Sequence, residues 1–166
     1  MIVHEQVFVS PDRVHPSADV HPTADLTLPD LTDIRVLLVN DDVDALHMAK
    51  DALTAARATV VAVSNAQEAL EVLDCATFDA LLLDIGMPEV DGYQLLARIR
   101  QSADERRRTL PAAALTAYAR SIDRTRSLKA GFQMHLSKPV QPAELATVVL
   151  ALTAPSKAHR RHNRTM

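Results

Sequence analysis

The sequence predicts an α/β protein, a doubly wound (βα)5 three-layer sandwich built around a parallel five-stranded sheet. Two observations carry this expectation. Five short apolar runs, each bounded by polar or turn residues, alternate with stretches whose apolar residues recur at helical spacing, the pattern of βα units. Aromatic residues make up only 3% of the chain and Trp is absent, so the core must be built from Leu, Val, Ile and Ala, which suits a sheet covered by helices.

The five runs are residues 36–39, 60–63, 80–83, 112–115 and 134–136, each of strand length. Between and after them, residues 44–57, 65–75, 93–100 or a little beyond, 121–130 and 142–153 read as five helices. Helix punctuation agrees. Asn65 followed by Glu68 resembles a capping box, Gly131 stands where a C′ glycine closes a helix, and Pro142 suits a first turn. Right-handed crossovers put helices on both faces of such a sheet, and ligands then gather at the carboxyl ends of its strands.

A chain of 166 residues with 48% apolar and 23% charged residues fits one soluble domain with tails. The domain is expected at 34–153. Residues 1–33 hold four of the nine prolines and three of the seven histidines without a sustained period, and read as an extended or disordered arm. Within the arm, VHPSAD at 14–19 is followed at once by VHPTAD at 20–25. Two hexapeptide copies are too few to stack into a solenoid core, which favours an extended segment. Residues 154–166 read as a basic flexible tail, and Arg106, Arg107 and Arg108 as a solvated run; neither has the aromatic interleaving of a single-stranded nucleic-acid site.

A net charge of -3 gives no overall attraction to nucleic acid or anionic lipid. Cys75 is alone, which excludes an intramolecular disulfide and favours a buried thiol. His4, His15, His21 and His47 match no closed set of metal ligands and are expected to face solvent. No run reaches a membrane span and the N-terminus lacks the order of a signal peptide, so a cytoplasmic location is expected.

The chemistry gathers where the strands end. Asn40, Asp41 and Asp42 follow the first, Asp84 the third, Thr116 closes the fourth, and Ser137, Lys138 and Pro139 close the fifth. Converging carboxylates repel one another and stay ionised only beside a cation or a lysine, and a hard divalent ion with oxygen ligands answers that need. With Lys138 as an ammonium and Thr116 as a hydroxyl donor, the same edge suits a phosphoryl group, with Asp84 as the nucleophile.

VLLVNDD at 36–42, LDIGMPEVDG at 83–92, LTA at 115–117 and LSKP at 136–139 together resemble the response-regulator receiver family of two-component signalling, over about residues 34–153. The wording of the segments after residues 115 and 130 is most similar to receivers attached to hybrid histidine kinases. The resemblance implies a flavodoxin-like strand order of 2-1-3-4-5 and a phosphoacceptor at Asp84. It implies Mg2+ (or Mn2+) held by Asp41, Asp84 and the Gly86 carbonyl, with Thr116 as the switch hydroxyl. Lys138 would pair with the phosphate across a cis Lys138–Pro139 bond. The implied partners are a histidine kinase or phosphotransfer protein and a downstream protein of unknown identity; the charge balance, apart from the resemblance, leaves neither membrane nor nucleic acid expected as a partner. Only 13 residues follow Thr153, so output is expected through a partner or by passing the phosphoryl group onward.

Two positions depart from the family. The first acidic position falls on Asn40, whose amide can accept from a metal-bound water but brings no charge, so weakened metal affinity is expected. His135 stands where many receivers carry Tyr or Phe; the plain reading is a strand residue on an interaction face, and the other a pH sensor. An alternative function is a pseudo-receiver that signals by binding without phosphorylation. A haloacid-dehalogenase-like phosphohydrolase would want a second Asp where Gly86 stands, and no glycine-rich phosphate cradle supports a flavodoxin-like cofactor site.

Overall fold

The computed structural model describes residues 27–117 and 121–162, and side chains within 27–117 and 125–154. In chain order the elements are β1 (Arg35–Val39), α1 (Val43–Ala55), β2 (Thr59–Val63), α2 (Ala66–Cys75), β3 (Ala80–Asp84), α3 (Gly92–Arg100), α4 (Glu105–Arg108), β4 (Ala112–Thr116), α5 (Ser121–Ala130), β5 (Met134–Ser137) and α6 (Pro142–His162). The five strands pair in parallel in the order β2-β1-β3-β4-β5, the order the family resemblance implies.

Alternation along the strands divides the core into two layers. Val36, Leu38, Ala80, Leu82, Ala113 and Leu115 face α1 and α6, meeting Leu46, Leu53, Leu145, Val149 and Leu152. Leu37, Val39, Leu81, Leu83, Ala112 and Ala114 face the other helices, meeting Ala69 and Leu73 of α2 and Leu95, Leu96 and Ile99 of α3. β3 and β4 are buried throughout and so have no polar face, which is why a continuous apolar run rather than an alternating one marks them in the sequence.

The helices begin where side chains satisfy their free N–H groups. Asp42 caps α1 by accepting from the N–H groups of Asp44 and Ala45, and Asn65 caps α2 by accepting from Glu68. Glu68 reaches back to the N–H of Ser64, one residue earlier than a strict capping box requires. The reciprocal box is at α3 instead: Asp91 accepts from the Gln94 N–H at 2.8 Å while the Gln94 side chain accepts from the Asp91 N–H at 3.0 Å. Gly131, at φ +100°, closes α5.

Four expectations need correction. The domain does not start at residue 34: Leu31 is 0% exposed, Leu28 packs beside it, and the Leu31 N–H donates to Ala56 O at 2.8 Å, closing the end of α1. Residues 27–33 are therefore part of the packed domain, while 1–26, including the hexapeptide repeat, His4, His15 and His21, lie outside the described residues. The arginine run is solvent-facing at Arg106 and Arg108 as expected, but forms the short helix α4 rather than a flexible segment, capped by Asp104 and with Arg107 paired to Asp74 at 2.6 Å. Helix α6 continues past Thr153 to His162, where a flexible tail was expected. Cys75, expected buried, is exposed at the last residue of α2, because the apolar face of that helix turns its neighbours Leu73 and Ala69 inward instead.

Candidate functional site

The parallel register brings the chemistry together at one edge. β3 lies between β1 and β4, and β5 flanks β4, so Asp84 is aligned with Leu115 and Thr116 with Ser137. Asp84 is the last residue of β3 and only 2% exposed. Its Oδ1 is 2.8 Å from Lys138 Nζ and accepts from the Gly86 N–H at 3.0 Å, so an ammonium and a backbone amide fix one oxygen of a buried carboxylate. Lys138 follows β5; its own N–H donates to Thr116 O at 2.8 Å, which ties the lysine to the strand end that carries the hydroxyl. The Lys138–Pro139 bond is cis, as expected. Thr116 is buried beside them at 6% exposure.

Asp41 stands at the same rim on the loop between β1 and α1. Desolvation raises its carboxyl above the ordinary value, a hydrogen bond to Asp84 and the Asp84 charge raise it further, and a backbone hydrogen bond and the Lys138 charge act in the opposite direction. Two neighbouring carboxylates beside a single lysine make a rim at which a divalent cation is electrostatically favoured. No group of three or more His, Cys, Asp or Glu converges among the described residues. Asp41 and Asp84 offer carboxylate oxygens at one rim, the donor chemistry a hard divalent ion takes. The residues present therefore fit a hard, oxygen-bound ion such as Mg2+.

Asn40 is at this edge, 2% exposed, and does something the sequence reading missed. Its Oδ1 accepts from the Asp42 N–H at 3.0 Å while its N–H donates to Val63 O at 3.2 Å, so it shapes the turn that presents Asp41. An amide two residues before an N-cap aspartate is the signal that could have pointed to this turn. The Asn40 carbonyl oxygen keeps a second lone pair beyond the one used in the turn. His135 is half-buried on β5, aligned with Ala114, rather than fully exposed.

A second missed contact lies on the opposite side of Asp84. A Cβ on Gly92 would stand 2.5 Å from Asp84 O, 3.0 Å from Ile85 Cδ1 and 3.1 Å from Asp84 C. The first residue of α3 therefore lies directly against the backbone of the candidate nucleophile, and only the absence of a side chain permits it. The Asp91–Gly92 pair reads from sequence as a turn, and a turn signal does not reveal which backbone the glycine approaches.

Among the described residues no helix is long and apolar enough to cross a membrane. A family model described as "Response regulator receiver domain" matches residues 36–150. An "Uncharacterized 14.6 kDa protein in sodA1 3'region" of Leptolyngbya boryana is 41% identical over 119 residues, covering 72% of this chain and 89% of that protein. The sensor histidine kinase GacS of Pseudomonas protegens is 38% identical over 120 residues; these cover 72% of this chain but only 13% of that much longer kinase. Among solved structures, the receiver domain of sensor histidine kinase PA1611 from Pseudomonas aeruginosa PAO1, with a magnesium ion coordinated in its active site cleft, is 31% identical. It aligns with a TM-score of 0.65, covering 73% of this chain and 98% of that one.

Proposed function

This chain belongs to the response regulator receiver domain family, and on that premise we propose that it accepts a phosphoryl group on Asp84 from the phosphohistidine of a histidine kinase or phosphotransfer protein. The observation that carries the reading is the 2.8 Å pair of Lys138 Nζ with a 2%-exposed Asp84, beside Asp41 and Thr116. A carboxylate oxygen of Asp84 attacks phosphorus, the bond from phosphorus to the ring nitrogen of the donor's protonated phosphoimidazolium breaks, and the electron pair returns to the ring, which keeps the proton on its other nitrogen. The product is an acyl phosphate on Asp84 and a neutral histidine on the donor.

The chain's own residues divide the work. The Gly86 N–H and Lys138 orient the nucleophile, and Lys138 is positioned to follow the charge onto the phosphoryl oxygens as it moves off the carboxylate. Thr116 donates its hydroxyl to a phosphoryl oxygen. Asp41, Asp84 and the Gly86 carbonyl would hold Mg2+, which when bound would neutralise phosphoryl charge; the magnesium in the active site cleft of the related PA1611 receiver supports the choice of ion. Slow hydrolysis of the acyl phosphate returns the resting state, so the protein is a signalling phosphoacceptor and turns over no separate substrate. Output runs through the surface of α5, β5 and α6 to a partner protein, or by passing the phosphoryl group onward. A cytoplasmic location belongs to the same reading, because phosphohistidine donors draw on cellular ATP.

One observation favours a second reading, a pseudo-receiver that binds partners without phosphorylation: Asn40 leaves the rim one carboxylate poorer and spends an acceptor on the Asp42 N–H. Intact mass after incubation with acetyl phosphate and Mg2+ separates the two. One added phosphoryl group on the natural chain and none on Asp84→Asn is the expected result; equal labelling of both would remove Asp84 from the role, and labelling of neither would favour the second reading.

A further inference from the structure

We propose that Tyr93 is a positioning residue for Asp84: its phenol, anchored on α5 through Ser127, holds Gly92 against the Asp84 backbone. The inference rests on the phosphoacceptor reading above and names a control on that same site.

Tyr93 is the residue after Gly92, in the first turn of α3. Its Oη is 3.1 Å from Oγ of Ser127, a serine that is 3% exposed and faces α3 from the middle of α5. The ring meets Phe132 edge-on, with centroids 6.0 Å apart and planes at 79°, and the Arg126 guanidinium lies 4.5 Å from the ring centroid. A hydroxyl bond, an aromatic edge contact and a cation over the ring face thus fix one side chain on three sides.

Its chain neighbour sits where no displacement is tolerated. Gly92 lies close enough to Asp84 O that a methyl group does not fit, and its N–H donates to Ile85 O at 3.4 Å. The anchor at Ser127 therefore sets how α3 presses on the nucleophile's backbone. The Tyr93–Ser127 bond thus joins the start of α3, which lies against Asp84, to α5.

General helix packing does not require this bond, and α3 carries a built-in comparison. At its far end Arg100 donates to Gly131 O at 3.2 Å and to Arg108 O at 3.1 Å, fastening the C-terminal end of α5 and of α4 to the end of α3 away from Gly92. Loss of Arg100 loosens the packing, whereas loss of the Tyr93 hydroxyl alters the packing and the position of Gly92.

The test uses the full chain as wild type, Tyr93→Phe, Ser127→Ala, their double variant and Arg100→Met. Each is titrated calorimetrically with beryllofluoride, a tetrahedral phosphoryl mimic, at saturating Mg2+, and melted by circular dichroism. Tyr93→Phe and Ser127→Ala each weaken beryllofluoride binding by about three- to tenfold, the range one side-chain hydrogen bond controls. The double variant is no weaker than the poorer single one, because one bond is lost in all three. Arg100→Met lowers the melting temperature and leaves the affinity within about twofold of wild type, since ordinary packing losses act on stability. Unchanged or tighter binding by Tyr93→Phe, or an equal loss in Arg100→Met, overturns the positioning role while leaving the phosphoacceptor reading standing. If wild type itself binds no beryllofluoride, the phosphoacceptor reading falls and the positioning role falls with it.

Discussion

Replacing Gly92 with Ala should separate stability from phosphoryl acceptance in a way the site geometry makes quantitative. The added methyl would stand 2.5 Å from Asp84 O, and ordinary contact begins near 3.4 Å, so the two backbones must part by about 0.9 Å. Lys138 Nζ and the Gly86 N–H hold Asp84 Oδ1 at 2.8 and 3.0 Å, and a shift of that size uncompensated would take both beyond hydrogen-bonding distance. Overpacking of this kind costs about 1–3 kcal/mol in stability. Misplacing a reacting group by about 1 Å costs on the order of 100-fold in rate. The expected outcome is a folded protein with a lowered melting temperature by circular dichroism and acetyl phosphate labelling slowed by roughly 10- to 100-fold in an intact-mass time course. Gly92 is not at positive φ, so backbone strain cannot produce the same result. Labelling at the wild-type rate with an unchanged melt would show that α3 does not press on Asp84 and would refute the reasoning.

Leu31→Ala should lower stability by about 2–5 kcal/mol in urea unfolding, because Leu31 is fully buried; a change under 1 kcal/mol or so would detach residues 27–33 from the domain. The Asp41 carboxyl has a raised pKa in the folded state, so its contribution favours folding only below the ordinary value of 3.8 and is lost as pH rises through the raised one. Asp41→Asn should accordingly raise the melting temperature in chelator at about pH 7 and leave it unaltered at about pH 3; a rise of equal size at both would point away from the ionised Asp41 carboxylate, desolvated and beside Asp84, as the cause. Asn40→Asp retains an acceptor for the Asp42 N–H and adds a charge, so Mg2+ affinity should rise by about tenfold in a calorimetric titration. Equal affinities would place Asn40 outside the influence of the ion.

The sheet was legible because burial on both faces forces continuous apolar runs: β3 and β4 are buried at every residue, and no polar alternation competes with the signal. Asp84, Thr116 and Lys138 were legible for a different reason, since strand ends fall at one edge of a parallel sheet whatever the helices do. What escaped was contact between segments whose local patterns are silent. Leu31 lies in a proline-containing stretch with no period, and its burial depends on α1 ending beside it. The short helix α4 has four residues, too few for an apolar period, and is held by Asp104 and Asp74 rather than by a buried face. Gly92 and Tyr93 read locally as the start of a helix; their approach to Asp84 and Ser127 is a property of the packed molecule.

The strap formed by residues 27–33 has a practical bearing on handling the protein. It joins the domain beside the end of α1, and α6 leaves the sheet in the same direction, its residues beyond Thr153 extending about 13 Å at 1.5 Å per residue. Both lie at the pole of the sheet opposite Asp84, separated from it by the roughly 16 Å length of a five-residue strand. A dye or cross-link placed on residues 27–33 would therefore sit away from the Asp84 edge and leave it open.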